Sequence, residues 1–300
     1  MKKIEELGYE IIIKKEKNLT FTHELKDVEI LVCYNPFTTL DIKKMKKLKW
    51  IQLSSIGIDQ APINYIRKNN IILTNNKGGY SIPMGEWIVL KILELYKKSH
   101  QFYKKQENKR WKIDTNVLEL YGKTIGFLGT GSIAKEAAKR LSGFNVKTLG
   151  LNTNGTSTKY FDKCFSNEEI KKMLTLSDVI VLSLPYTEKT HNFVNEDIFN
   201  MMKDRVFFIN ISRGNIVDET ALIENLKRGK IKGAALDVFE NEPLNNDNPL
   251  WSMDNVIITP HNSWVSEMRN QRRFEIIYEN MKKYSNNDKP NNIVNLNRGY

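Results

Sequence analysis

Short apolar runs alternate with longer amphipathic segments along the whole chain. The runs have the length of β-strands, and VFFINI at 206–211 is apolar on both faces except at Asn210, as a strand buried in a parallel sheet is. The segments between the runs carry apolar residues at helical spacing. This alternation predicts an α/β fold with mainly parallel sheets. The predicted strands lie at 9–13, 29–33, 50–53, 71–75, 123–129, 146–152, 178–184, 206–211, 231–238 and 255–260.

The longest predicted helix runs from Met84 to about Asn108 and follows Pro83, a residue that favours the first turn of a helix. Strand-like runs lie on both sides of it in the sequence. A helix of this length between two series of strands is expected to connect two domains, and 300 residues suffice for two domains.

The composition is that of a folded protein, with 40 % apolar and 10 % aromatic residues. No run of about 18 apolar residues is present, so no membrane span is expected, and the first residues lack the pattern of a signal peptide. Two distant cysteines, Cys33 and Cys164, do not form a disulfide framework and favour a reducing cytoplasm, with Cys33 as a buried thiol. Four histidines without metal-ligand spacing predict no metal site.

The formal net charge of +11 raises the question of a nucleic-acid partner. The lysines are spread along the whole chain, and the densest run, KKMKKLK at 43–49, places Met45 and Leu48 on one side of a helix and the lysines on the other. That pattern is typical of a solvated helix face. Aromatic residues are not interleaved with basic ones as in single-strand binders, so no nucleic-acid partner is predicted.

A glycine-rich loop joins a predicted strand to a helix in KTIGFLGTGSIAKEAAKRL at 123–141. The loop has the pattern G-x-G-x-x-A, formed by Gly129, Gly131 and Ala134. Gly129 permits a tight turn, and Gly131 lets the backbone approach a pyrophosphate at the helix N-terminus, where amide groups have no intrahelical partner. Strand, loop and helix occur in the required order, so this segment is predicted to bind a dinucleotide.

The end of the next strand bears on the choice of cofactor. An acid at this position binds the ribose hydroxyls of NAD, but VKTLGLN ends in Asn152, which is followed by the potential hydrogen-bond donors Thr153, Asn154 and Thr156. No carboxylate is present to repel a 2′-phosphate, although no arginine is adjacent either. NADP(H) is therefore slightly favoured over NAD(H).

Three ionisable residues follow successive predicted strands: Arg213 in NISRG, Glu242 in ALDVFENEPL and His261 in VIITPHNSW. The carboxyl ends of parallel strands gather at one sheet edge, beside the cofactor. An arginine fork matches a carboxylate, a histidine exchanges protons near neutral pH, and a carboxylate on the histidine favours its protonated form. With hydride from a nicotinamide, these groups can reduce a 2-oxo acid to a 2-hydroxy acid.

Structural interpretations compete with these roles. Arg213 could form an ion pair with a nearby acid, with Gly214 allowing the chain to turn directly after it. Either Glu240 or Glu242 could be merely solvated, and Asp237 could cap a strand end.

These segments resemble the D-isomer-specific 2-hydroxyacid dehydrogenases, a family that includes phosphoglycerate, glyoxylate/hydroxypyruvate and D-lactate dehydrogenases. The resemblance runs nearly end to end, and the order of the blocks is specific to the family. The blocks are LSSIGIDQAP (53–62), TNNKGGYSIPMGEW (74–87), the glycine loop, LSLPYTEKTHNFVN (182–195), INISRGNIVDETAL (209–222), ALDVFENEPL (235–244), TPHNSW (259–264) and NIVNLNRGY (292–300).

The resemblance implies an NAD(P)-dependent oxidoreductase that interconverts a small D-2-hydroxy acid and its 2-oxo acid. Arg213 would hold the substrate carboxylate, His261 would donate or remove the proton, and Glu242 would favour the charged form of His261. The other substrate-binding residues would be Ser55, Ile56, Gly57 and Trp264. Asp237 would bind the nicotinamide carboxamide, and the other cofactor-binding residues would be Gly129, Gly131, Ser132, Ile133, Asn152, Thr153, Leu184, Pro185, Thr190, Ile211 and Ser212.

The resemblance also implies a flavodoxin-like substrate domain at 1–97 and 269–300 and a Rossmann cofactor-binding domain at 98–268. Family members begin with a strand and the start of a helix before the segment that resembles KKIEELGYEIII, so the substrate domain is expected to lack its first strand, at a cost in solubility or activity. A homodimer through the cofactor domain is implied, with His100 to Leu120 as the candidate contact. The alternative is a dinucleotide-binding regulatory protein, since the family includes a transcriptional corepressor.

Overall fold

The computed structural model describes residues 2–299, and the chain divides into two compact units. Unit 1 contains the residues up to Tyr80 and those from Ser266 onwards, and unit 2 contains Ser81–Val265. Met1 and Tyr300, the last residue of the NIVNLNRGY block, lie outside the described residues. Each unit has its own sheet and its own apolar core.

Strands and helices alternate as the sequence predicts. The strands are β1 (Ile30–Cys33), β2 (Trp50–Leu53), β3 (Ile72–Thr74), β4 (Thr124–Leu128), β5 (Lys147–Leu151), β6 (Lys163–Phe165), β7 (Val179–Leu182), β8 (Val206–Asn210), β9 (Ile231–Leu236) and β10 (Val256–Ile258). The α-helices are α1 (Lys2–Glu5), α2 (Ile63–Lys68), α3 (Ser81–Lys97), α4 (Ser99–Glu107), α5 (Ser132–Leu141), α6 (Ile170–Leu176), α7 (Glu196–Met201), α8 (Glu219–Lys227) and α9 (Arg269–Ser285). Short 3₁₀ helices lie at His23–Leu25, Ile42–Lys44, Ser142–Phe144, Asn167–Glu169, Glu188–Thr190, Gly214–Ile216 and Pro249–Ser252.

Unit 1 is built on a parallel sheet with the strand order β1-β2-β3. The central strand β2 is buried along its whole length. Its Ile51 and Leu53 side chains belong to one apolar cluster, and Trp50 belongs to a second cluster with Ile277 and Met281 of α9. This division follows from the alternation of side chains between the two faces of a strand.

A buried polar network fastens α9 to the sheet of unit 1. The Trp50 indole N–H donates to the Thr74 hydroxyl, which donates to Oε1 of Gln52, both at 2.8 Å. The Asn280 amide of α9 donates to the same Gln52 oxygen at 2.8 Å and accepts the Asn291 N–H at 2.7 Å. Because buried polar groups must be paired, these bonds fix the position of the helix along the strands.

Unit 2 contains a parallel sheet with the strand order β10-β9-β8-β7-β4-β5-β6. The strand order reverses between β4 and β7, and ligands bind at such a switch point in doubly wound folds. Small residues bring α3 and α5 together, since a Cβ atom on Gly85 would lie 2.9 Å from Cβ of Glu136. The parallel sheets confirm the predicted α/β class.

Nine of the ten predicted strands form, and the strand predicted at 9–13 is wrong. Tyr9 and Ile11 pack against the Trp50–α9 cluster, and the Tyr9 hydroxyl donates to the Met281 carbonyl at 2.8 Å. Ile13 is 71 % exposed. Tyr9 and Ile11 therefore pack in a cluster with α9, and residues 9–13 have no partner strand.

Strand β6 is the one strand of the described chain that the sequence does not predict. Its three residues are too few to show alternation. The KKMKKLK segment also differs from its prediction, because only a 3₁₀ turn ending at Lys44 forms there. Met45 and Leu48 are nevertheless buried and the lysines are exposed, as predicted.

The helix predicted from Met84 to about Asn108 consists of α3 and α4, which are separated at Lys98 by a left-handed φ of 53°. α3 begins at Ser81, so Pro83 lies inside its first turn. Because α3 packs on α5, the boundary between the units lies at Tyr80, where the sequence predicts residue 97. The second boundary lies after Val265, near the predicted residue 268.

No described helix is both long and apolar enough to cross a membrane. Both cysteines are free, and burial raises the pKa of the Cys33 thiol, which is buried as predicted. Among residues 2–299, no group of His, Cys, Asp and Glu side chains could hold a metal ion.

Candidate active site

Unit 2 gathers most of the predicted site residues at the carboxyl edge of its sheet. All strands of this sheet are parallel, so the segments that follow them emerge on the same side. The glycine loop follows β4, Asn152 follows β5 and Arg213 follows β8, while Asp237 follows β9 and His261 comes after β10.

His261 and Glu242 form a hydrogen-bonded pair, with Nδ1 of His261 2.8 Å from Oε2 of Glu242. Oε1 of Glu242 accepts the Phe239 N–H at 3.1 Å. Burial raises the pKa of Glu242, but the hydrogen bonds from His261 and Phe239 and the charges of His261 and Arg213 outweigh it, so the pKa lies below its ordinary value. Glu242 is therefore ionised near neutral pH, and as an acceptor it assigns the proton of a neutral imidazole to Nδ1, which leaves Nε2 to exchange protons.

This pairing decides between the two acids of the cluster. Glu242 contacts the histidine, whereas Glu240 is exposed. The structure thus pairs His261 with Glu242, and the catalytic role of Glu242 stays a prediction.

A buried carboxylate holds the His261 loop. The Asp237 side chain is fully buried and accepts the Thr259 hydroxyl at 2.5 Å, the Asn262 N–H at 2.8 Å and the Ser263 N–H at 3.0 Å. The His261 N–H donates to the Asp237 carbonyl at 2.8 Å. Together these bonds hold His261 at a left-handed φ of 50°, a conformation that costs a non-glycine residue about 1–3 kcal/mol.

Trp264 also stabilises this loop, since its indole N–H donates to the His261 carbonyl at 2.8 Å. Asp237 and Trp264 are predicted from the sequence as cofactor and substrate contacts, and the structure shows that both position His261. Sequence offers only a weak signal for this role, namely an acid placed directly after an apolar strand.

Arg213 is brought to the Glu242 segment by a close approach of two backbones. A Cβ atom on Gly214 would lie 1.8 Å from the carbonyl carbon of Phe239 and 2.2 Å from the backbone nitrogen of Glu240. Only glycine fits such an approach. The predicted role of Gly214 in the turn is thus incomplete, because this residue also allows the Arg213 and Glu242 segments to meet.

Two further residues that the sequence analysis misses shape these segments. The buried Asn210 amide accepts the Ser212 N–H at 3.0 Å and donates to the Arg213 carbonyl at 3.2 Å. Glu219 of α8 accepts the Glu240 N–H at 3.2 Å and the Asn248 amide at 2.7 Å. Neither residue belongs to a spacing pattern that could have identified it.

The glycine loop has open space above the start of α5. Gly129 has a φ of 101°, and a Cβ atom there would lie 2.8 Å from the Ser183 carbonyl oxygen, so the turn requires glycine. Gly131 has an ordinary φ of −70°, and apart from its own chain neighbours no atom of residues 2–299 lies within 4 Å of its Cβ position. The N-terminal amides at Ser132 and Ile133 have no side-chain cap. Open space beside uncapped amides fits a pyrophosphate.

The Asn152 amide shapes the loop after β5. Its Oδ1 atom accepts the Thr156 N–H at 2.9 Å, and its Nδ2 atom donates to the Thr156 carbonyl at 2.8 Å and lies 3.3 Å from the Thr130 hydroxyl. Thr153, directly after Asn152, is exposed. Residues 152–158 include no acid, so the position that an acid would occupy in an NAD site is neutral.

The remaining predicted cofactor residues lie after β7 and β8. The Thr190 hydroxyl donates to the Pro185 carbonyl at 2.8 Å, and Leu184 packs on the core of unit 2. Ile211 and Ser212 are buried, with the Ser212 hydroxyl donating to the Leu182 carbonyl at 2.9 Å. Their contacts with a cofactor stay predictions.

In unit 1, the predicted substrate loop follows β2 at Ser54–Gly57. Its successive carbonyl groups are turned toward the segment 75–80, which occupies three of them. The Tyr80 hydroxyl donates to Ser54 at 2.6 Å, the Asn76 N–H to Ser55 at 2.8 Å and the Asn75 amide to Ile56 at 2.8 Å.

Two N–H groups of this loop differ from its carbonyl groups in their hydrogen bonding. Within residues 2–299, those of Ile56 and Gly57 donate to no protein group. Neighbouring N–H groups that lack a protein acceptor are suited to a carboxylate.

Comparison with known proteins relates this chain to one family. The family model described as "D-isomer specific 2-hydroxyacid dehydrogenase, NAD binding domain" matches residues 89–263. D-3-phosphoglycerate dehydrogenase of Methanocaldococcus jannaschii is 30 % identical over 306 residues, which cover 99 % of this chain and 57 % of that protein. The chain spans about half the length of the phosphoglycerate dehydrogenases that it matches.

Two solved structures are similar in fold and sequence. A D-isomer specific 2-hydroxyacid dehydrogenase from Xanthobacter autotrophicus, in complex with NADPH and MES, has a TM-score of 0.78 and 26 % identity, with coverage of 92 % of this chain and 86 % of that one. D-lactate dehydrogenase from Aquifex aeolicus, complexed with NAD and lactic acid, has a TM-score of 0.75 and 30 % identity, with coverage of 88 % and 85 %.

The lowered pKa of Glu242 predicts a pH-dependent contribution to stability. The ionised carboxylate stabilises the folded state above its ordinary pKa, and this contribution is lost as the pH falls through the lowered pKa. Because the side chain is 37 % exposed, we expect Glu242→Gln to lower the free energy of unfolding by less than about 1 kcal/mol near pH 7, and by almost nothing once the pH lies below the lowered pKa.

The measurement is Tm as a function of pH for the wild type and for Glu242→Gln. Glu240→Gln, at the exposed neighbouring acid, is the matched control and should follow the wild type. A Tm difference between Glu242→Gln and wild type that persists unchanged in acid would contradict the assignment.

Proposed function

Because the chain belongs to the D-isomer-specific 2-hydroxyacid dehydrogenase family, we propose that it interconverts a small D-2-hydroxy acid and its 2-oxo acid with a nicotinamide cofactor. The observation that carries this proposal is the His261–Glu242 pair, with Arg213 close enough for its charge to lower the pKa of Glu242. A protein that only binds a dinucleotide needs none of these three groups, which disfavours the regulatory alternative.

Each ionisable residue has one task in the proposed reaction. Arg213 presents a planar fork of donors to the substrate carboxylate and so orients the adjacent carbonyl. His261 donates a proton from Nε2 to the carbonyl oxygen during reduction and removes it during oxidation. Glu242 holds Nδ1 of His261 and stabilises the imidazolium. The N–H groups of Ile56 and Gly57 are assigned to the substrate carboxylate, and Trp264 positions His261.

The bound nicotinamide supplies the hydride. Gly129 and Gly131, with the amides of Ser132 and Ile133, would hold the pyrophosphate, since open space lies beside these uncapped amides. The proposal places the enzyme in the cytoplasm, where its two free cysteines would stay reduced.

We expect His261→Asn to lower kcat/KM for 2-oxo acids by about 10²- to 10⁴-fold, because the variant loses proton transfer. The dissociation constant for NADPH should stay within about twofold, as the proposed cofactor loop is untouched. Stopped-flow absorbance of the reduced nicotinamide and fluorescence titration measure the two quantities.

His191→Asn is the matched control, because His191 is an exposed histidine of the same unit. Full activity in His261→Asn would refute the mechanism. Absence of turnover with glyoxylate, hydroxypyruvate, pyruvate and longer 2-oxo acids, in wild-type protein that binds NADPH, would favour the regulatory alternative.

The proposed cofactor is NADP(H) in preference to NAD(H). Support comes from the loop after β5, which has no acid and begins with Asn152 and the exposed Thr153. A carboxylate there would repel a 2′-phosphate and bind ribose hydroxyls. We therefore expect Thr153→Asp to lower the ratio of kcat/KM with NADPH to kcat/KM with NADH by about tenfold.

Asn145→Asp provides the matched control, since exposed Asn145 lies at the opposite end of β5. It adds the same charge and should leave the ratio unchanged. A wild type that prefers NADH would overturn the proposed preference without affecting the proposed reaction.

The proposed assembly is a homodimer through unit 2. Residues 100–121 expose a group of large apolar side chains, and such a patch marks a protein interface. The group consists of Phe102 (37 % exposed), Tyr103 (59 %), Trp111 (100 %), Ile113 (82 %), Val117 (39 %) and Tyr121 (71 %).

We expect the wild type to sediment as a dimer and Trp111→Asp to sediment mainly as a monomer at micromolar concentration, because the charge would be buried in the interface. Trp251→Asp, at a half-exposed tryptophan of the same unit, should stay dimeric. A wild type that is monomeric at all concentrations in analytical ultracentrifugation would exclude this assembly.

A further inference from the structure

The loop after β5 contains the only Asn–Gly dipeptide of the sequence, Asn154–Gly155. Asn154 is exposed, and its side chain has no hydrogen-bond partner among residues 2–299. The residue after an asparagine determines how easily its own backbone nitrogen reaches the asparagine side chain, and glycine obstructs this approach least because it has no Cβ atom. The dipeptide is therefore suited to intramolecular attack on the Asn154 amide.

The structure requires glycine at position 155. Gly155 has a left-handed φ of 69°, and a Cβ atom there would lie 3.0 Å from the Ser166 backbone nitrogen. An isolated antiparallel bridge between Asn154 and Ser166 brings the two segments this close. The Gly155 N–H donates to the Asn152 carbonyl at 3.3 Å, which is longer than the usual range, so this nitrogen is only weakly held. The fold thus places an unhindered and weakly held nitrogen directly after Asn154.

Asn152, two residues earlier in the same loop, differs from Asn154 in both respects. Its side-chain amide is held by hydrogen bonds to the carbonyl and the N–H of Thr156, at 2.8 and 2.9 Å. The residue that follows it, Thr153, is β-branched, and its bulk restricts access to its own backbone nitrogen. Asn152 is therefore an internal control for the reactivity of Asn154.

We propose that Asn154 is a site of spontaneous deamidation and that this modification lowers the preference of the enzyme for NADPH. The backbone nitrogen of Gly155 attacks Cγ of Asn154, the Cγ–Nδ2 bond breaks, and ammonia leaves with the proton of the Gly155 amide. Water then opens the cyclic imide at either of its carbonyl carbons, which gives aspartate or isoaspartate. No oxidant or reductant takes part.

Either product places a carboxylate in residues 152–158, a segment that contains no acid. This inference rests on the proposed function, in which that segment receives the 2′-phosphate of NADPH. A carboxylate there repels a 2′-phosphate and favours ribose hydroxyls. Isoaspartate also adds a methylene group to the backbone, which disturbs the two hydrogen bonds between Asn152 and Thr156. Both changes act against NADPH.

The first measurement locates the modification in the full chain during incubation in mildly alkaline buffer, where loss of the Gly155 amide proton accelerates the attack. Trypsin releases residues 148–159 as one peptide that contains both asparagines of the loop. Fragmentation mass spectrometry then shows which amide has become an acid, and we expect Asn154 to react before Asn152. Incubation continues until other asparagines of the chain react, and an Asn154 that is still intact at that point overturns the proposed site.

The second measurement is the ratio of kcat/KM with NADPH to kcat/KM with NADH, because a general loss of active enzyme does not change this ratio. We expect it to fall with the modified fraction of Asn154 and to approach a decrease of about tenfold at full modification. Asn154→Asp reproduces the aspartate product and should show the lowered ratio without incubation. Asn154→Ser has no amide to lose, so its ratio should stay at its initial value throughout incubation.

A constant ratio in wild type that is modified at Asn154, or a ratio in Asn154→Asp equal to that of fresh wild type, would overturn the proposed effect on cofactor preference. Turnover of 2-oxo acids in the same assays would leave the proposed reaction intact. If no 2-oxo acid is turned over, the proposed function fails, and fluorescence titration with NADPH before and after incubation decides the inference. A dissociation constant that rises about tenfold in wild type and not in Asn154→Ser supports it, and an unchanged constant overturns it.

Discussion

The candidate active site depends on one buried carboxylate. Asp237 has no contact with solvent, so its side-chain oxygens must find donors within the protein, and these are the Thr259 hydroxyl and the N–H groups of Asn262 and Ser263. These hydrogen bonds hold residues 259–263 around the Asp237 side chain, and His261 in this segment has a left-handed conformation. With the backbone held in this conformation, the His261 imidazole reaches Glu242.

A similar constraint acts in unit 1. The segment 75–80 occupies three successive carbonyl groups of the loop after β2, which leaves the N–H groups at Ile56 and Gly57 as donors. Thr74, the residue directly before this segment, is fixed by the buried network of Trp50, Gln52 and Asn280. In both units, polar groups that must be paired fix the loops on which the proposed chemistry depends.

Sequence alone determined the strand–helix alternation and the glycine loop and indicated Arg213, Glu242 and His261 as candidate site residues, because strands, turns and strand ends leave local patterns of apolar and special residues. It did not reveal that residues 9–13 pack on α9, that Lys98 interrupts the long helix, or that Gly214 is needed for a contact with Phe239. Only the tertiary structure decided these features and the role of Asp237. Each depends on contacts between distant segments, such as the Thr259–Asp237 bond across 22 residues, which no local pattern records.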